Sequence, residues 1–204
     1  FCPDFYVGIL LFVLMVSPFF LFRTGPTESG PDARTLRVGV CQPFLTSKWQ
    51  GENVTQHKEI LMRQTRFLAL TKPDLIVWPE ASTPYPVNLD SLWVEDLVRE
   101  TGIPMLIGAV VKEEGQAFNT ISLVTPENGV SPEWYAKRIL VPFGEYVPFP
   151  FRWIPGLRKL VGPIGTFGEG ELPFNFTIGE AGTEKPSFVV GSLICYEDIF
   201  PSLV

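Results

Sequence analysis

Three side chains that could carry out acyl chemistry each lie at or just beyond a run of apolar residues. Glu80 follows Leu75–Trp78, Lys137 lies within residues 134–140, and Cys195 follows residues 187–194. A carboxylate can take the proton of a thiol, and a lysine cation can stabilise both a thiolate and the oxyanion formed when it attacks a carbonyl. These residue types indicate a cysteine nucleophile, with the main-chain N–H of Tyr196 as a second oxyanion donor.

The same three residues also have a structural interpretation. A cysteine after a buried strand is commonly an inert part of the core. A Glu or Lys at a strand end commonly faces solvent. The even spacing of the three residues, about one supersecondary unit each, is compatible with both interpretations. The sequence around each of the three residues is therefore needed to distinguish the catalytic from the structural interpretation.

The elements that would position these residues follow from hydrophobic periodicity. Apolar runs predict strands at residues 36–41, 75–78, 104–111, 119–124, 134–140 and 187–194, with a turn at 126–129. Amphipathic patterns predict helices at 52–71 and 91–100, the second ended by Gly102. Residues 141–186, rich in Pro, Gly and Phe, are expected to be irregular. Strands that first alternate with helices and later pair through turns predict an α/β fold with a mixed sheet.

The apolar residues of each predicted helix indicate which face it buries. The expected buried residues are Ile60, Leu61, Phe67 and Leu68 in the first helix, and Leu92, Trp93, Leu97 and Val98 in the second. His57, the single histidine, lies in a polar stretch and is expected at the surface. Cys41 is expected to be a buried strand residue.

The first 35 residues differ in composition from the rest of the chain. Residues 5–22 carry no charge and are just long enough to cross the hydrocarbon core of a bilayer. A secretory signal and a buried core helix are alternatives, but Asp4 precedes the run and no Ala-x-Ala site follows it. We therefore expect a transmembrane helix at 1–22 that ends a membrane domain, a linker at 23–35 and a catalytic domain at 36–204.

Composition argues against several other functions. The formal net charge is −6, whereas binding to nucleic acid requires a basic face. Three scattered cysteines and one histidine do not provide a zinc site, so no metal site is predicted. The glycines of residues 162–170 lack the spacing of a dinucleotide site. We expect no metal or organic cofactor.

Three motifs resemble those of one enzyme superfamily. WPEAS at residues 78–82, YAKRILVPFGEYVP at 135–148 and ICYED at 194–198 are similar to motifs of the nitrilase, or carbon–nitrogen hydrolase, superfamily. The long string around the lysine, together with the N-terminal apolar run, resembles the apolipoprotein N-acyltransferase family of bacterial membranes. The resemblance implies an α-β-β-α sandwich that continues past Val204, so that 36–204 would be incomplete at its C-terminus and inactive alone.

The resemblance also implies roles for individual residues. The implied catalytic residues are Glu80 as general base, Lys137 as transition-state stabiliser, Cys195 as nucleophile and Glu145 as the residue that positions them. The implied substrate-site residues are Trp49, Tyr196 and Glu197, with ordinary packing as the alternative for Trp49.

The implied reaction moves a fatty acyl group from a phospholipid, through a Cys195 thioester, to the N-terminal amine of a diacylglyceryl-cysteine lipoprotein. Its partners would be phospholipid, the apolipoprotein acceptor and the membrane. A monomeric enzyme would lie in the bacterial inner membrane, with its catalytic domain on the extracytoplasmic side. Residues 149–174 would form an apolar loop that meets lipid or covers the site, or would pack over their own core. The alternatives are a nitrilase-type amidase or carbamoylase for small C–N bonds and a non-catalytic anchored module.

Overall fold

The computed structural model describes residues 34–44, 54–149, 151–153, 167–179 and 187–203. The apolar run at 5–22 and Trp49 lie outside these ranges, so the expectations for both remain predictions. Among the described residues, no helix is both long enough and apolar enough to cross a bilayer.

A mixed sheet forms the centre of the fold. Its strands lie in the order β1 (Val38–Val40), β2 (Leu75–Trp78), β3 (Met105–Glu113), β4 (Gln116–Thr125) and β5 (Gly129–Ala136), and β6 (Phe167–Gly168) pairs with β4. The first three strands run parallel, whereas β3 with β4 and β4 with β5 form antiparallel pairs. The prediction of an α/β fold with a mixed sheet is confirmed.

Two helices, α1 (Val54–Ala69) and α2 (Leu92–Thr101), cover one face of this sheet. Helix α1 follows β1 and α2 follows β2, so each lies in the crossover between two parallel strands, as such connections require. Helix α2 ends at Gly102, whose φ of 67° lies in the left-handed region that glycine adopts without strain.

The buried faces of the helices differ from the prediction. His57 is only 4% exposed and lies on the same buried stripe of α1 as Leu61 and Thr65, so the expectation of a surface histidine is wrong. Phe67 and Leu92 are 71% and 73% exposed instead of buried. Positions four residues apart lie on one side of a helix, and this geometry turns residues 57, 61 and 65 toward the sheet whatever their polarity.

The sheet has a hydrophobic core on each side. On the helix side, residues of α1 and α2 such as Leu61 and Leu97 pack with Trp78 and Met105. On the other side, Tyr135 packs with side chains of β7 (Asn175–Ile178), which pairs with β8 (Phe188–Gly191) in a second, two-stranded sheet. A helix layer, a mixed sheet and a second sheet therefore follow one another.

The segment predicted to be irregular contains two short strands that the sequence pattern does not reveal. Strand β6 has only two residues, and β7 alternates exposed and buried residues over only four positions. Strand β5 is also shifted: it spans Gly129–Ala136 instead of 134–140, so that Lys137 directly follows its last residue. A strand of two to four residues contains too few side chains to establish a period.

Candidate active site

Glu80 lies on a loop that leaves the end of β2 and passes close over β3. The close approach needs Gly108 of β3, because a Cβ at this position would overlap the Pro79 carbonyl and lie 2.7 Å from the Cα of Glu80. The Gly108 carbonyl accepts hydrogen bonds from the main-chain N–H and the hydroxyl of Ser82, at 2.7 and 2.8 Å. The missing side chain and these two bonds fix the position of the Glu80 loop.

Lys137 is the first residue after β5, and its side chain is only 1% exposed. Its main-chain N–H donates to the Asn119 carbonyl, and its own carbonyl accepts from the N–H of Gly170, both at 2.9 Å. Its Nζ lies 2.9 Å from Glu145 Oε1 and 3.4 Å from Glu80 Oε1. A buried ammonium needs such partners, because removing an unpaired charge from water is costly.

Glu145 is held on a tight turn that follows Lys137 in the chain. Its Oε2 accepts the main-chain N–H of Val141 at 2.8 Å, while its Oε1 faces Lys137. Phe143 makes the turn with a φ of 62°, and its N–H donates to the Tyr146 carbonyl at 2.7 Å. The turn therefore brings a second carboxylate to the lysine, at the position that the motif indicates.

The pKa of Lys137 is raised above that of an ordinary lysine. Burial opposes the charged form, but the hydrogen bond to Glu145 and the charges of Glu80, Glu145 and Cys195 outweigh it. The side chain is therefore a cation at neutral pH, although it has almost no contact with solvent.

Asn119 of β4, which none of the sequence motifs identifies, lies between the two carboxylates. It is 2% exposed, and its Nδ2 donates to Glu80 Oε1 at 2.7 Å and to Glu145 Oε1 at 3.2 Å. The available signal was an amide within the largely apolar strand AFNTISLV (117–124), because a buried amide needs hydrogen-bond partners.

Cys195 lies at the start of a short 3-10 helix, Cys195–Ile199, and is exposed. Its φ of 58° places a residue other than glycine in the left-handed region, a strained conformation that is frequent at functional sites. The ring of the next residue, Tyr196, lies 5.6 Å from Lys137 Nζ, and its hydroxyl donates to the Leu140 carbonyl at 2.9 Å. The charge of Cys195 is also among those that raise the pKa of Lys137, so the exposed thiol lies near the lysine cluster.

Glu197, expected at the substrate site, is fully buried. Its Oε1 accepts the main-chain N–H groups of Arg138 and Ile139 at 2.7 and 3.1 Å. Its Oε2 accepts the Tyr135 hydroxyl and the Ile194 N–H at 2.8 and 2.7 Å. Glu197 therefore fastens the residues before Cys195 to those after Lys137, because the carboxylate needs donors and both loops supply them. Its part in shaping the substrate site stays a prediction.

A groove of about 410 Å³ lies along β4 and β5. Its lining includes Phe118, Trp134 and Ala136, together with residues 169–174. Phe118 and Ala136 precede Asn119 and Lys137 by one residue, and successive side chains at such positions point to opposite faces of a sheet. The groove therefore lies on the opposite face of β4 from the Asn119 side chain, although Gly170 in its lining donates to the Lys137 carbonyl. Within the described ranges, His, Cys, Asp and Glu do not form a group of three or more that could hold a metal ion.

A family model described as carbon-nitrogen hydrolase matches residues 37–204, a range that contains Glu80, Lys137, Glu145 and Cys195. The chain belongs to the carbon–nitrogen hydrolase family. Solved structures of this family share the fold. A CN-hydrolase superfamily protein from Xanthomonas campestris has a TM-score of 0.55 at 16% identity, over 83% of this chain and 56% of that one. An amidase from Nesterenkonia has a TM-score of 0.54 at 15% identity, over 83% of this chain and 60% of that one.

Several curated relatives in this carbon–nitrogen hydrolase family carry the name apolipoprotein N-acyltransferase. Apolipoprotein N-acyltransferase 2 of Treponema denticola is 32% identical over 78% of this chain and 32% of its own length. The apolipoprotein N-acyltransferase of Agrobacterium fabrum is 31% identical over 95% of this chain and 37% of its own length. The chain thus spans about a third of the length of these relatives.

Proposed function

We propose that this protein transfers a fatty acyl group from a phospholipid to the N-terminal amine of a diacylglyceryl-cysteine lipoprotein, with Cys195 as nucleophile. The observation that carries the proposal is an exposed thiol on a strained turn near a buried lysine cation with two carboxylates. The similarity to curated apolipoprotein N-acyltransferases supports transfer to an amine instead of hydrolysis.

In the first half-reaction, Glu80 takes the Sγ proton of Cys195 while the sulfur attacks the ester carbonyl carbon of the phospholipid. The Lys137 ammonium and the Tyr196 N–H stabilise the resulting oxyanion. The intermediate then breaks its bond to the glycerol oxygen, which takes the proton from Glu80 and leaves as a lysophospholipid. The acyl group remains on Cys195 as a thioester.

In the second half-reaction, the neutral amine of the acceptor attacks the thioester carbonyl and gives a proton to Glu80. The C–S bond breaks, the new amide leaves, and the proton returns from Glu80 to the sulfur of Cys195. Glu145, held by Val141 and in contact with Lys137, keeps the ammonium in place during both steps. No step needs a metal or an organic cofactor.

The proposal includes a location. The enzyme would lie in the bacterial inner membrane, anchored by the helix predicted at 1–22, with the catalytic domain on the extracytoplasmic side. Both substrates would then reach Cys195 from the lipid surface.

The test is to incubate the protein, expressed from its complete gene and purified in detergent, with phospholipid and to search for an acyl adduct by intact-protein mass spectrometry. We expect a hydroxylamine-labile fatty-acyl adduct on Cys195 that is absent in Cys195→Ser. Glu80→Ala should slow its formation by about a hundredfold or more, the usual contribution of a general base.

Cys41→Ser is the matched control, because it removes a second thiol of the same chain that is buried away from solvent. This variant should form the adduct as the wild type does. If phospholipid gives no adduct and small amides are hydrolysed instead, the protein is an amidase or carbamoylase of the same family.

A further inference from the structure

We infer that Asn119 is a positioning residue that gives the two carboxylates at Lys137 different roles, one as counter-ion and the other as base. The inference deepens the proposed function and rests on it. The four groups form a ring in which two donors, Asn119 Nδ2 and Lys137 Nζ, alternate with two acceptors, Glu80 Oε1 and Glu145 Oε1.

The distances in this ring are unequal in a systematic way. Glu145 lies closer to the lysine than to the amide, at 2.9 against 3.2 Å. Glu80 lies closer to the amide than to the lysine, at 2.7 against 3.4 Å. Within the ring, the shorter contact of the cation is therefore with Glu145, and the shorter of the two contacts of Glu80 is with the neutral amide.

This division suits the chemistry of the two carboxylates. A tight ion pair with Lys137 would stabilise the charged form of Glu80 and would also use up the ammonium that the oxyanion needs. An amide N–H holds a carboxylate in place without a full positive charge. It continues to donate when the carboxylate has taken a proton and is neutral.

Asn119 is well fixed for this purpose. It lies inside β4, where it pairs with Val110 of β3, and its carbonyl accepts the N–H of Lys137. The residue is 2% exposed, so its side chain has little space to turn away from the carboxylates. The backbone that places the amide thus also places the lysine.

The experiment compares Asn119→Leu and Asn119→Asp with the wild type in the full-length protein. Leucine has a similar size but no donor, and aspartate has the same shape but replaces the donor by a third carboxylate. The control is Thr120→Val on the opposite face of β4, which removes a buried hydrogen bond from Thr120 to the Ala109 carbonyl. One measurement is the rate constant of thioester formation at increasing phospholipid concentration, and the other is the rate constant of Cys195 alkylation by iodoacetamide.

We expect Asn119→Leu to lower the rate constant of thioester formation at saturating phospholipid by about tenfold to a hundredfold, as for loss of a hydrogen bond to a charged group. The half-saturating phospholipid concentration should stay within twofold. Asn119→Asp should lower the rate constant of thioester formation further than Asn119→Leu does. It should also slow the alkylation of Cys195 about tenfold, because a third negative charge disfavours the thiolate. Thr120→Val should match the wild type in both rate constants.

A rate constant for either Asn119 variant within twofold of the wild type would overturn the inference, as would an equal loss in Thr120→Val. If a variant folds poorly, the fraction of protein that reacts falls but the rate constant of the folded fraction is still measured. If the wild type forms no thioester, the proposed function fails on its own. The alkylation rates then still decide: a tenfold decrease in Asn119→Asp supports the inference, and an unchanged rate overturns it.

Discussion

Cys195 and Cys41 both carry a free thiol, but their surroundings are opposite. Cys195 is exposed near a lysine cation, whereas Cys41 is 2% exposed and its Sγ donates to Gln64 Oε1 at 3.0 Å. Burial raises the pKa of the Cys41 thiol to about 11, although a hydrogen bond with Thr65 acts in the opposite direction. Cys41 is buried as predicted, but it directly follows β1 instead of lying within the strand.

We predict that iodoacetamide at pH 8 labels Cys195 and leaves Cys41 unlabelled in the folded protein. At that pH only about one Cys41 thiol in a thousand would be ionised. Because the folded state raises this pKa, the stability contributed by the protonated thiol is present below pH 9.0 and is lost as the pH rises toward about 11. Peptide mapping by mass spectrometry would measure both labels. Equal labelling without denaturant would contradict the structure, and denaturant should expose both thiols.

The residues of the site differ in how far the sequence could identify them. Glu80, Lys137, Glu145 and Cys195 lie in local motifs, and the structure brings the first three into contact and the fourth nearby. Asn119 lies outside these motifs, and its role depends on partners 39 and 26 residues away. Such a residue becomes recognisable only when the strand register is known.

At the level of elements, Glu197 connects two loops that are far apart in the sequence. Its carboxylate accepts bonds from the loop after β5 and from the residue before Cys195, and no part of it is exposed. Hydrogen bonds to a buried charge are stronger than those between neutral groups. The position of Cys195 in the structure therefore depends on the buried carboxylate of Glu197.

We predict that Glu197→Gln lowers the free energy of unfolding by about 2–4 kcal/mol, because an uncharged amide is a weaker acceptor for these donors. Thermal unfolding and thioester formation by the remaining folded protein would both be measured, and both should decrease. The control is Asp198→Asn, since Asp198 is exposed in the same short helix and should tolerate the change. Equal stability of Glu197→Gln and the wild type would contradict the bracing role.

The helices and strands were predictable where a hydrophobic pattern continued over many residues. The two helices and strands β2 to β4 lie where periodicity places them, and Gly102 ends α2 as expected. The burial of His57 and the exposure of Phe67 were not predictable from hydrophobicity, because the position of a helix on the sheet decides which stripe is covered. Strand β7 was missed because it alternates over only four residues, too few to establish a period.

At the scale of the molecule, aromatic side chains are exposed in the segment that follows the Glu145 turn. Phe149 and Trp153 are 68% and 74% exposed, with ring centroids 6.0 Å apart, and Phe151 is 45% exposed. Indole rings are favoured at the interface between lipid and water. The hypothesis that this segment meets lipid stays a prediction.

We predict that Trp153→Ser slows acylation of Cys195 by phospholipid vesicles about tenfold, through loss of apolar contact with the bilayer. Acylation by a water-soluble short-chain thioester should not change. Phe67→Ser is the matched control, since Phe67 on α1 is equally exposed at 71%. A loss with both donors would mean that Trp153 acts on the site and not on lipid binding.

The hydrogen bonds of Glu197 also have a consequence for the order in which the protein folds. Its bonds to Tyr135, Arg138 and Ile139 join residues 62, 59 and 58 positions apart, so they close a long loop. Contacts between distant residues form late in folding, after local hairpins such as that of β4 and β5. During biosynthesis the groups around Cys195 therefore come together only when the sheet is complete, so the proposed reaction would require a chain that has already folded correctly.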